Sequence, residues 1–212
     1  MIDASTLITY LAVLLGFVFI PGPAVLLTLA RATSAGTRVG VATALGIALG
    51  DLLHTAMTVL GLSAVILASA ALFNLIKYLG AAYLIYLGIR AIVAEPPSVA
   101  PAGAAPITAS ITPFPAFRQA IVAEILNPKS ALFFVAFLPQ FVAPENGAVA
   151  LQLSVLGALF VVMGLVSTMT VSAAAGWAGG YLRRHPAVMR WQGKVVGGIY
   201  CAVGLRLALQ ER

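Results

Sequence analysis

Six long apolar runs organise the chain. They extend from Ser5 to about Ala30, Val39 to about Ala68, Leu72 to Val93, Ala116 to Val142, Ala148 to about Gly180, and Val195 to Leu209, the last extendable back toward Trp191. A bilayer-spanning helix needs about 20 apolar residues. Lipid offers no partner to unpaired backbone groups, so each run is predicted to be a helix. Two runs are interrupted, the first at Pro21-Gly22-Pro23 and the fourth at Asn127-Pro128. Between the third and fourth, Glu95 to Pro115 is rich in Pro, Ala, Ser, Thr and Gly and reads as a linker. It separates a three-run half, 1–94, from another, 116–212. Each half opens with a proline-broken segment, FIPGPAVLLTLA and ILNPKSALFFVA, in which Pro23 and Pro128 align. Three spans per half invert the second half relative to the first. The predicted fold is an all-α polytopic membrane protein: one domain over 1–212, six transmembrane helices and a 3+3 inverted repeat with broken first and fourth helices.

Composition supports the same class. Of 212 residues, 61% are hydrophobic and 8% charged, with mean hydropathy +1.05, whereas an ordinary soluble domain is about one-quarter charged. The only charged side chain before the first run is Asp3, so the run does not read as a secretory signal with a basic n-region and is expected to be retained. The net charge of +6 reflects loop residues. Eight Lys and Arg fall in the odd-numbered loops and three on the other side, with Lys129 inside a span. The positive-inside rule then puts both termini outside the cytoplasm, and nucleic acid is not an expected partner. One cysteine, Cys201, excludes an internal disulfide and a CxxC redox pair.

The polar residues inside the runs carry the candidate chemistry. Asp51 lies within LGIALGDLLHTAMTVLGL. A mid-span carboxylate costs about 2.5–3.5 kcal/mol on insertion scales and usually marks an ion or proton path, the alternative being a polar partner for another helix. His54 follows three residues later on nearly the same face. It is either a proton relay, an anchor for Asp51, or a satisfied structural residue. With only two histidines, a metal site is not expected. At Asn127-Pro128-Lys129, proline interrupts the helix, and a half-helix starting near Ser130 presents a positive amide end. Lys129 beside it suits a substrate carboxylate, unless it snorkels to the interface. Glu124 can pair with Lys129, pair with Arg118, or serve as a second acid. Gly22 permits close backbone approach, with a second half-helix start at Ala24. Gly46 and Gly50, Gly176 and Gly180, and Gly193 and Gly197 are spaced for close helix packing.

The segments PGPAVLLTLARATSAGTRVGVATALGIALGD and FRQAIVAEILNPKSALFFVAFLPQF resemble the LysE/RhtB family of amino-acid exporters. The PGP, GxxxGD and NPKxxxFF elements carry that resemblance together. It implies export of amino acids or related metabolites by the proton-motive force. It also implies functional positions at Pro21, Gly22, Pro23, Gly46, Gly50, Asp51, Asn127, Pro128 and Lys129. Glu124 departs from the family pattern, where many members have a neutral polar residue. Expected partners are an amino-acid substrate, protons and the lipid bilayer, with a homodimer as candidate assembly and a bacterial-type inner membrane as location. No cofactor is expected. The chain lacks G-x-x-x-x-G-K-[ST], HExxH and GxSxG, so neither an ATPase nor the corresponding enzymes are expected. The competing readings are export of a cation or another small solute, and a membrane scaffold.

Overall fold

The computed structural model describes residues 2–19, 22–62 and 111–175, together with individual helical positions between 75 and 93 and between 191 and 209. The described elements are helical and no strand occurs among them. Helix α1 (Ala4–Phe19) begins behind Asp3. The Asp3 carboxylate accepts hydrogen bonds from the Ser5 hydroxyl at 2.6 Å, the Thr6 amide at 2.9 Å and the Thr6 hydroxyl at 2.7 Å. Those donors, Ser5 foremost, hold its carboxyl well below the usual carboxylate range. A lowered folded value means that this cap is present above the ordinary pKa and is lost as pH falls.

Along α1, Tyr10, Leu14, Phe17 and Val18 recur every three or four residues and are buried, whereas Ile8 and Leu15 are exposed. This periodicity separates an inward stripe from a lipid-facing one. The Tyr10 hydroxyl, which needs a partner when buried, donates to the Leu156 carbonyl at 2.7 Å. Helix α2 (Pro23–Ala35) leaves α1 at a 46° bend, with Gly22 as an extended N-cap. It ends at Gly36, whose φ of +89° favours glycine, and α3 (Thr37–Met57) follows at once. The last turn of α3 widens into a π-helical segment, Thr58–Leu62.

Helix α4 (Pro113–Ile125) starts inside the stretch read as linker. Its first turn tolerates Pro113 because that N–H would be unsatisfied anyway. After a 44° bend comes α5 (Pro128–Leu132), which runs on through a π turn, Phe133–Phe137, and a 3₁₀ turn, Leu138–Phe141. The same proline logic corrects the expected half-helix starts: they lie at Pro128 rather than Ser130, and at Pro23 rather than Ala24. Helix α6 (Val149–Ala173) is preceded by a loop tied down by Gln152. Its side chain accepts from the Ala143 amide at 3.1 Å and donates to the Ala143 carbonyl at 2.9 Å.

Two stretches, Thr37–Gly61 and Val149–Ala173, are each long and apolar enough to cross a membrane, and the two bent pairs raise the number to four. Most of the third and sixth expected spans lies outside the described residues, as do Pro21 and the pairs Gly176/Gly180 and Gly193/Gly197. Where they are described, positions in both runs are helical, and Cys201 Sγ comes within 3.8 Å of the Ile85 carbonyl.

Among the described helices α3 is central and packs chiefly on α4 and α6. Glycine makes that approach close. A Cβ on Gly46 would run into the Phe117 carbonyl and come within 2.8 Å of Ala120 Cβ, and one on Gly50 would come within 2.6 Å of Glu124 Cβ. A cluster of rings from α1, α5 and α6 fills the neighbouring core, with Phe133 centred 4.6 Å from both Phe17 and Phe160.

Candidate functional site

The two helix breaks meet beside the middle of α3. They flank a partly open cavity of about 40 Å³, lined on its polar side by Asp51, Asn127, Lys129, Ser130 and Thr168, and on its apolar side by residues including Phe17, Val18, Val25, Ile47 and Phe160. A space this size admits a few waters.

The Asn127-Pro128 break is held by its own side chains. Asn127 is the N-cap of α5, its Oδ1 accepting from the Lys129 amide at 3.0 Å. Its Nδ2 donates to both carboxyl oxygens of Glu124, each at 3.1 Å. The Ser130 hydroxyl donates to Glu124 Oε1 as well. Glu124 is thus buried and fixed by the turn that follows it. The exposed Arg118 does not share this arrangement, and its guanidinium lies 6.0 Å from the Phe114 ring centre.

His54 turns to the same break. Its Nε2 donates to the Glu124 carbonyl at 3.0 Å, and its ring stacks on Phe134 with centroids 5.5 Å apart. A carbonyl only accepts, so Nε2 carries a proton. This bond serves a main-chain oxygen at the C-terminal end of α4, where carbonyls lose their intrahelical partners.

Lys129 bridges the two breaks. Its ammonium donates to the Phe17 carbonyl at 2.8 Å and lies 4.4 Å from the centre of the Phe17 ring. On the neighbouring carbonyl, Val18, Ser167 of α6 donates at 2.9 Å. Two carbonyls near the end of α1 thus each accept from a side chain, one of α5 and one of α6. The lysine stem passes against Gly22, where a Cβ would stand 2.8 Å from Lys129 Cδ. This close approach is the structural use of the glycine in PGP.

Asp51 projects from α3 into the cavity and is 2% exposed. It lies beside Glu124 at the close α3–α4 approach, and its Oδ1 has no hydrogen-bond partner among the described residues. Gly164 of α6 leaves room beside Oδ2, since a Cβ there would come to 3.4 Å. Lys129 stands within electrostatic reach of both acids. The geometry thus brings together Gly22, Asp51, Glu124, Asn127 and Lys129, with Gly46 and Gly50 behind them setting the α3–α4 distance. Phe17, Phe160, Gly164, Ser167 and Thr168 join this group although the spacing of motifs did not single them out. The one signal for the last three was the presence of small or hydroxyl-bearing residues, Gly164, Ser167 and Thr168, inside the apolar fifth run.

The profile of the LysE type translocator family matches residues 15–211. An uncharacterised membrane protein of Vibrio cholerae is 30% identical over 206 residues, covering 97% of this chain and 98% of the relative. A protein of Salmonella choleraesuis named leucine efflux protein is 35% identical over 143 residues, covering 66% of each. An uncharacterised membrane protein of Bacillus subtilis is 30% identical over 209 residues, covering 96% of this chain and 99% of the relative. No solved structure matches. With residues 15–211 matched by one profile and two relatives similar over nearly their full length, the chain belongs to the LysE type translocator family.

Proposed function

We propose that this protein is a secondary exporter of amino acids or closely related metabolites, driven by the proton-motive force and working as an antiporter. The observation that carries the reading is the meeting of two helix breaks at one cavity lined by Lys129 and Asp51, with Glu124 buried next to it. Broken helices near mid-membrane are a recurrent way to build a transport site. A zwitterion matches these charges, with its carboxylate at Lys129 and its ammonium toward Asp51. The apolar wall of Val18, Val25, Ile47 and Phe160 fits an aliphatic side chain, in keeping with a relative named leucine efflux protein. A cation exporter fits less well, because Lys129 would repel its cargo from the same space.

Uphill flux is the test. Purified protein in proteoliposomes should move labelled leucine against its gradient when a pH gradient is imposed. Absence of any gradient response across a panel of amino acids would remove the exporter reading.

The same reading has two inverted three-helix halves in a bacterial-type inner membrane, with both termini outside the cytoplasm and the Glu95–Pro115 segment inside. A Ser98→Cys variant in a Cys201→Ser background should resist an impermeant thiol reagent in intact cells and react in inverted vesicles. Labelling in intact cells would reverse this orientation.

A further inference from the structure

We infer that Asp51 and Glu124 act as one proton-holding pair, and that Asp51 Oδ1 is the position where the ammonium of an amino-acid substrate displaces the shared proton. The inference rests on the exporter reading and adds a second coupling residue to it.

The packing of α3 on α4 forces the two acids together. At Gly50 the helices are so close that a Cβ would stand 2.6 Å from Glu124 Cβ. Both acids are buried at this close approach, 2% exposed each, and two ionised carboxylates so near each other repel unless they share a proton. The two acids differ in their partners. Both Glu124 oxygens accept from Asn127, at 3.1 Å each, and one accepts from Ser130 as well. Asp51 lines the cavity, and its buried Oδ1 has no hydrogen-bond partner among the described residues. A buried carboxylate oxygen without a donor is costly, and an ammonium supplies three donors.

The surrounding charges define the exchange. From α5, Lys129 faces both acids. From α3, His54 donates to the Glu124 carbonyl. Helix α6 contains no ionisable residue. The ionisable groups of α2 and α1 are engaged elsewhere, Arg31 with Gln119 and Tyr10 with the Leu156 carbonyl. One proton on the pair together with one ammonium on Lys129 makes the cluster neutral, the arrangement a low-dielectric site favours. When a zwitterion enters, its ammonium takes the proton's place beside the pair and the proton leaves to water. No covalent bond other than O–H changes. Proton-rich surroundings return the proton and expel the ammonium, which gives export its direction.

Binding should therefore be proton-linked. Leucine affinity of the wild type, measured calorimetrically in detergent, should weaken by up to about tenfold per pH unit on acidification, the limit for one competing proton. Paired buffers of different ionisation enthalpy should report release of about one proton per leucine. Glu124→Gln keeps the side chain's size and leaves a single carboxylate, so its proton release should vanish and its affinity should become flat with pH. If that variant is not recovered folded, Glu124→Asp draws the carboxyl one methylene away from Asp51 and should reduce proton release at least fivefold. Wild-type proton release from either variant overturns the inference, as does pH-independent binding by a wild type that transports uphill, although the exporter reading then stands. Failure of the wild type to bind or move any amino acid overturns both.

Discussion

Asp51→Asn should reduce uphill, gradient-driven accumulation of leucine to the level seen with no gradient, while the protein inserts normally. Asparagine nearly preserves the shape of aspartate and can still accept a hydrogen bond, but it cannot gain and lose a proton. The side chain is buried on α3, beside Glu124 and opposite Gly164. A neutral amide fits that space without overpacking. Exchange of leucine down its own gradient should persist in weakened form, because an ammonium loses a charge-assisted bond worth about 1.5–3 kcal/mol, or about tenfold or more in apparent affinity. A purely structural role predicts a different outcome, with insertion and all activities failing together. Proteoliposome flux with and without an imposed pH gradient separates the two, and wild-type accumulation by the variant would eliminate Asp51 as a coupling group.

Lys129→Ala should lower leucine export at least a hundredfold, and Lys129→Met should do nearly the same with less damage to the fold. The alanine variant removes two things at once. The ammonium that would meet a substrate carboxylate is lost, and so is the donor to the Phe17 carbonyl at the end of α1. Loss of a charge-assisted hydrogen bond costs about 1.5–3 kcal/mol, so thermal unfolding in detergent should begin at a lower temperature. Methionine keeps an apolar stem against Gly22 and the Phe17 ring. Leucinol, which lacks the carboxylate, discriminates the substrate role. It should compete poorly with leucine on the wild type, and its disadvantage should largely disappear in Lys129→Met. Unchanged transport and unchanged discrimination in that variant would refute a carboxylate contact.

Much of this architecture was written in local chemistry. The apolar runs announced membrane helices, because a continuous apolar segment in lipid can satisfy its backbone only within itself. Both breaks were legible as well, since proline's missing N–H and fixed φ act at the residue itself. Even the starting points of α2 and α5 follow from proline at the first helical position, although the amide-end argument placed them one or two residues late. Asp51 and Lys129 stood out because a charge inside an apolar run is expensive wherever the helix goes.

The identity of each polar residue's partner depended on the fold. By sequence alone Glu124 could pair with Lys129, pair with Arg118 or serve as a second acid. It meets Asp51 because Gly46 and Gly50 draw α3 against α4, a contact between segments some 70 residues apart. His54 follows Asp51 by one helical turn, yet its ring reaches the Glu124 carbonyl, since the end of α4 presents an acceptor there. Lys129 crosses to α1, where the first break leaves a carbonyl that local sequence could not assign. Gly164, Ser167 and Thr168 join the site only because α6 closes one side of the cavity. Residue chemistry along the chain therefore determined the medium, the helices, the breaks and the charges to watch. The tertiary structure decided which charges share one small volume, because hydrogen bonding and charge neutralisation act over a few ångströms of space and are indifferent to separation along the chain.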